Sequence, residues 1–168
     1  MALEIRPARP GEAGLVLAFV RELAAYERLL DTVAATEAMI DAALFGPSPR
    51  VFCDTAAWDG VPAGFALWFP NFSSFRGTHG LFLEDLFVRP AFRRRGIGSA
   101  LFRHLARRCA DRGWTLFEWA VLDWNTPSIA FYTALGAELR HDWTICRLGG
   151  DALARLGAAE APGAPEAP

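Results

Sequence analysis

The stretch from Leu81 to Cys109, LFLEDLFVRPAFRRRGIGSALFRHLARRC, constrains the fold more than any other part of the chain. It opens as an apolar run broken only by Glu84 and Asp85, the pattern of a buried strand, and Pro90 closes it. A loop of three arginines and a Gly-x-Gly follows, and then an amphipathic helix from Gly96 to about Arg112, ended by Gly113. At 100° per residue, Leu101, Phe102, Leu105, Ala106 and Cys109 share one arc of that helix. Arg103, His104, Arg107 and Arg108 share the other and read as a solvated face.

The flanking sequence completes a sheet around this unit. LEIRPA reads as a first strand, Gly11 to Leu30 as a helix with Leu15, Phe19, Leu23 and Tyr26 on one face, and Thr36 to Phe45 as a second helix capped by Thr36. RVFCDTAAWDGVPAGFALWFPN reads as two strands joined at Asp59-Gly60, a hairpin signal. TLFEWAVL is a further strand, and TPSIAFYTALG a short helix with Pro127 in its first turn. AELRHDWTICRL is expected to supply two last strands or one bent hairpin. The expected fold is thus α/β (α+β), a mixed, mostly antiparallel sheet with helices on both faces. A single domain is expected over residues 1–156, with an Ala/Pro/Gly-rich, disordered tail over 157–168.

Composition narrows the function. The 168 residues carry 52% hydrophobic residues and a net charge of -2, so the arginine cluster is a local feature and a nucleic-acid partner is not expected. All 17 basic residues are arginine, which reads as composition bias. Cys53, Cys109 and Cys146 have no metal-like or CxxC spacing and read as buried free thiols. His79, His104 and His141 form no ligand motif, so no metal is expected. With no apolar h-region at the start and no run of membrane-spanning length, a cytoplasmic protein with no membrane partner is expected by elimination.

Two readings compete for Arg93–Ser99: a basic segment for nucleic acid, or a backbone cradle for a small phosphate ligand. Glycines at a helix start let the backbone approach a ligand, and the free N–H groups there favour an anion. Glu84 and Asp85 interrupt an apolar strand, so they read either as members of a buried ion pair or as functional carboxylates. Tyr132 by itself reads as core, Trp143 as core or ligand contact, and Asn125 and Ser128 as helix capping.

RRRGIGSALF fits the R/Q-x-x-G-x-G/A loop of the GNAT N-acetyltransferases. With RELAAYE, LEDLFV and WNTPSIAFYTALGA in the same order, residues 3 to 148 resemble the diamine (spermidine/spermine) and thialysine acetyltransferase branch. The resemblance implies acetyl-coenzyme A as cosubstrate, no metal, a homodimer, and a primary amine on a small molecule as acceptor. It implies that Arg93, Arg94, Arg95, Gly96, Ile97, Gly98 and Ser99 surround the pyrophosphate, and that the backbone of Leu86, Phe87 and Val88 bonds the pantetheine arm and thioester. Asn125, Pro127, Ser128 and Tyr132 complete the cofactor contacts it implies. Glu84 takes the amine proton directly or through water, and Tyr132 protonates the leaving thiolate. Tyr26, Glu27, Glu84, Asp85, Glu118, Trp119, Ala120 and Trp143 match the acceptor site. Ser74 stands where the polyamine enzymes carry an acid, and the segments around Arg28 and Asp142 hold fewer acids than theirs. A shorter diamine or a thialysine-like amino acid is therefore as fitting an acceptor as a long polyamine. The alternatives are acetylation of a protein, peptide or antibiotic amine, and a non-catalytic acyl-CoA-binding module.

Overall fold

A computed structural model describes residues 2–158. The chain divides into two compact units, residues 1–128 and 129–168.

The first unit is built on one five-stranded sheet. Its strands are β1 (Leu3–Pro7), β2 (Phe52–Trp58), β3 (Val61–Ser73), β4 (Thr78–Val88) and β5 (Leu116–Trp119), adjacent in sequence order. β1 to β4 are antiparallel and β5 runs parallel to β4, the mixed sheet expected from the sequence. The β2–β3 turn forms at Asp59-Gly60, with φ of 49° and 80°, the left-handed pair that a two-residue hairpin turn requires.

Helices α1 (Ala13–Tyr26) and α2 (Glu37–Phe45) cover one face. Val16, Phe19, Leu23 and Leu44 pack there on Cys53, Phe65, Leu67 and Phe87. Phe19 stacks on Phe65 at 5.3 Å between centroids, a pairing worth about 0.5–1.5 kcal/mol beyond its burial. Helix α3 (Ile97–Asp111) covers the opposite face, where Phe102 meets Phe117 and Trp119. Ile97, Leu101, Leu105 and Cys109 are buried along the same stripe. The second unit takes up α4, which runs from Thr126 to Ala134, and holds α5 (Gly150–Ala158). Among the described residues no helix is long and apolar enough to cross a membrane.

Several expectations are corrected. α1 ends at Tyr26, short of Leu30, because Arg28 takes a left-handed φ of 62° and the Leu29 N–H turns back to Ala24. No glycine marks that stop. β5 ends at Trp119 instead of Leu122. Residues 137–149 form no strand: Leu139, Trp143, Ile145 and Leu148 are exposed and pair with no ladder. Gly157 and Ala158, expected in a disordered tail, end α5, whereas 159–168 lie outside the described residues. Cys53 and Cys109 are buried free thiols but Cys146 is exposed.

The face of α3 opposite its apolar arc is not wholly solvated, and Ala106 is exposed. His104 and Arg108 turn to the sheet, where they meet Asp54, a side chain 1% exposed. Asp54 accepts from Trp68 Nε1 at 2.8 Å and from Arg108 at 2.8 Å, and His104 Nε2 lies 3.1 Å away. The Arg108 guanidinium also lies 5.0 Å from the Trp68 ring centroid. A buried carboxylate is tolerable when paired and bonded in this way.

Candidate active site

The site begins with an irregularity in β4. Leu67 pairs with Asp85 but Trp68 pairs with Leu83, so Glu84 is the extra residue of a β-bulge. Glu84 is exposed, whereas Asp85 is half-buried on the face of α1, beside Leu67. Burial pushes the Asp85 carboxyl up to about 7, and the Glu84 and Glu27 carboxylates add to the shift. Burial also raises Glu27, at the end of α1. Asp85 thus sits in an acidic neighbourhood with its charge unfavoured, the condition in which a carboxylate takes protons near neutral pH.

Beyond the bulge β4 loses its outer neighbour. β5 pairs with Gly80 to Leu83 and stops at Trp119. The Arg89 N–H donates to Ala63 O on the β3 side, so by strand alternation Leu86 and Val88 turn their backbone groups the other way, where β5 has ended. Arg93 Nε donates to Val88 O at 2.9 Å. The Leu86 edge is an open strand edge able to bond an extended ligand. Phe87 differs from its neighbours in that its ring is buried in the core.

The arginine loop leads from this edge into α3. Arg94 and Gly96 both take left-handed φ, 61° and 77°, and Gly96 caps α3 with no side chain on the free amides. A Cβ built at Gly96 meets nothing within 4 Å. The N–H groups of the first turn, from Ile97 through Gly98 and Ser99, therefore stand at an uncapped helix start, a ready anion site. The Arg93 guanidinium lies 4.8 Å from the Tyr26 ring centroid and that of Arg95 lies 5.4 Å from Trp58. Arg93, Arg94 and Arg95 are all exposed.

On the α1 side, the Tyr26 hydroxyl donates to Asn125 Oδ1 at 3.2 Å, and the Ser128 N–H donates to the same oxygen at 3.4 Å. Asn125 is buried and caps the start of α4, as its position before Pro127 indicated. Trp124, which sequence reasoning missed, tilts on Tyr26 at 6.1 Å and carries Arg28 at 5.8 Å. Its signal was the tryptophan that opens the WNTPS block. Glu118 is exposed at the end of β5 and accepts from Asn71 Nδ2 at 2.8 Å. Trp119 is half-buried and packs on Phe102 and Phe117 on the α3 face of the sheet. Ala120 is exposed just past the strand, and Ser74 sits in the exposed β3–β4 turn.

The structure thus gathers Tyr26, Asn125, Ser128, Arg93 and Phe87 into one contact set. Glu27, Glu84 and Asp85 form a second, acidic group. Tyr132 and Trp143 belong to the second unit, Tyr132 buried on α4 and Trp143 exposed beside Arg140.

Comparison with known proteins adds the following. Residues 17–137 match the acetyltransferase (GNAT) family. Thialysine N-epsilon-acetyltransferase of Bos taurus is 34% identical over 163 residues, covering 90% of this chain and 95% of that protein. L-ornithine N5-acetyltransferase NATA1 of Arabidopsis thaliana is 40% identical over 114 residues, 68% of this chain, which spans about half that relative's length (50%). An integron cassette protein from the mobile metagenome of V. cholerae has a similar structure, with a TM-score of 0.78 and 26% identity over 95% of this chain and 99% of that one.

Proposed function

Because the chain belongs to the GNAT acetyltransferase family and is an acetyl-CoA-dependent N-acyltransferase, we propose that its acceptor is a short diamine or an amino acid with a side-chain amine. We infer that the Glu84–Asp85 pair removes the amine proton. The observation that carries this reading is the acidic group of Glu27, Glu84 and Asp85 beside the bulge.

An alkyl amine arrives as its ammonium, because its pKa is about 10.4 in water. Glu27, Asp85 and Glu118 attract that cation, and Tyr26 and Trp124 supply an aromatic wall. Glu84, turned to solvent by the bulge, takes the proton directly or through a water, leaving the neutral amine as nucleophile. Asp85 holds a second claim to this role, because its carboxyl titrates near neutral pH.

Acetyl-CoA supplies the acyl group as a thioester. The residues present fit it: the uncapped amides of Ile97 to Ser99 suit its pyrophosphate, and the open edge at Leu86 and Val88 suits an amide-bearing arm. Arg94 and Arg95 add positive charge at the loop, while Pro127 sets the start of α4 and Asn125 and Ser128 hold it in place. Tyr132 is assigned as the acid that returns a proton to the leaving thiolate, on the strength of its place in the WNTPSIAFY block. The homodimer implied by the resemblance is read by sedimentation.

Ornithine and thialysine stand in the names of the two relatives above. Thiol release from acetyl-CoA tests the reading across 1,4-diaminobutane, ornithine, thialysine, spermine, an aminoglycoside and a peptide N-terminus. The short diamine or the amino acids are expected to match or exceed spermine in kcat/KM. A tenfold or greater preference for spermine, the aminoglycoside or the peptide overturns it.

A further inference from the structure

Asn71 is a residue the reaction itself does not require, yet it is held in an unusual way. It lies in β3 opposite Gly80 of β4, and its Nδ2 reaches beyond β4 to Glu118 Oε2 of β5 at 2.8 Å. Its Oδ1 is buried and has no hydrogen-bond partner among the described residues. A Cβ at position 80 would stand 2.6 Å from that oxygen and 2.9 Å from Leu116 O, so the arrangement needs glycine there. The amide has one workable orientation. Flipped, it would set Oδ1 against the Glu118 carboxylate. A buried carbonyl left without a donor is destabilising, and the compensating contact is the charge-assisted bond to Glu118.

Glu118 stands opposite Phe82, whose ring stacks on Phe69 at 5.2 Å on the α1 face of the sheet. Glu84 and Asp85 follow two and three residues along β4. At about 3.3 Å per residue along β4 and about 4.8 Å between neighbouring strands, the two acidic positions are roughly 8–11 Å apart. Amines separated by five or six single bonds of about 1.5 Å span most of that distance. One amine can therefore lie at Glu84 and Asp85 while the other meets Glu118.

We propose that Asn71 is a positioning residue that sets acceptor specificity, fixing the Glu118 carboxylate to receive the second ammonium of a diamine. This inference rests on the acceptor reading given above. Asn71 touches no substrate; it acts through Glu118.

The test is the ratio of kcat/KM for 1,4-diaminobutane to that for 1-aminobutane, in a double-mutant cycle of Asn71→Leu and Glu118→Gln. Asn71→Leu is expected to lower the ratio at least fivefold, through a raised KM for the diamine. Glu118→Gln lowers it as well, and Asn71→Leu added to Glu118→Gln changes the ratio less than twofold. A purely structural role for Asn71 would show equally in both backgrounds. Asn71→Ser, too short to reach Glu118, replaces the leucine variant if that fails to fold. If Glu118→Gln lowers the ratio but both Asn71 variants keep it, the positioning role is overturned and the acceptor site stands. If Glu118→Gln keeps the ratio, Glu118 does not meet the second ammonium and the inference falls, while thiol release still measures amine acetylation. If the wild type acetylates neither amine, the acceptor reading fails and takes the inference with it.

Discussion

Two aspartates sit on opposite faces of one sheet and live differently. Asp54, facing α3, accepts from Trp68 and Arg108, with His104 beside it, and is sealed from water. Asp85, facing α1, is half-buried, has no hydrogen-bond partner among the described residues, and has Glu84 and Glu27 as its acidic neighbours. Burial of a charge is tolerated where partners replace the lost water, and is otherwise relieved by holding a proton. The α3 face therefore uses its acid for stability. The α1 face leaves Asp85 unsatisfied and so able to exchange a proton with a ligand.

The largest effect should come from breaking the satisfied side. Asp54→Ala leaves the half-buried Arg108 guanidinium without its carboxylate and the Trp68 N–H without its acceptor, and should cost about 3–5 kcal/mol of stability, read from urea unfolding. A loss below about 1 kcal/mol would show that the two faces differ less than their hydrogen bonds indicate.

Next comes the chemistry of the other side. Glu84→Gln, at an exposed bulge, should reduce kcat by about 10²-fold, the scale of a positioned base. Its urea midpoint should stay close to that of the wild type. Near-normal turnover would return Glu84 to the surface and pass the base role to Asp85.

A smaller effect is one of sign. The Asp85 carboxyl titrates at about 7 in the folded chain, above its ordinary 3.8. Between those values the folded state holds a proton that the unfolded chain has released. The stability linked to it is full below about 4 and is lost as pH rises through about 7. Asp85→Asn removes the penalty, so it should be more stable than the wild type at pH 8, by on the order of 2 kcal/mol. That advantage should vanish at pH 4. A variant less stable than the wild type at pH 8 would mean that Asp85 has a favourable partner there.

Much of the frame was legible from residue patterns. The Asp59-Gly60 turn, the Thr36 cap, the α3 stripe of Leu101, Leu105 and Cys109, and Gly113 at its end all depend on neighbours within a few positions. What escaped depends on contacts distant in sequence. His104 and Arg108 fall on the polar arc of α3 by periodicity, but Asp54, fifty residues earlier, draws them to the sheet. The bulge at Glu84 is a register shift against β3 that alternation along β4 alone does not reveal. Asn71 gave no signal, because its meaning lies in Gly80 beneath it and Glu118 beyond. The apolar residues at 139–148 alternate like strands, yet none finds a ladder. For the site, the motif blocks named the loop and the acids, but only the structure separates exposed Glu84 from half-buried Asp85 and turns Trp119 toward Phe102 of α3.

The central claim is that the acids on the α1 face govern proton removal, and the pH dependence of kcat/KM in wild type and Asp85→Asn tests it most directly. This ratio reports groups of the free enzyme, and the acceptor's own ionisation, about 10.4, lies more than three units above the expected limb. The wild type should rise through a limb near pH 7, set by Asp85, and Asp85→Asn should lose that limb. A wild-type profile flat between pH 6 and 8, or an Asp85→Asn limb superimposable on that of the wild type, would contradict the account.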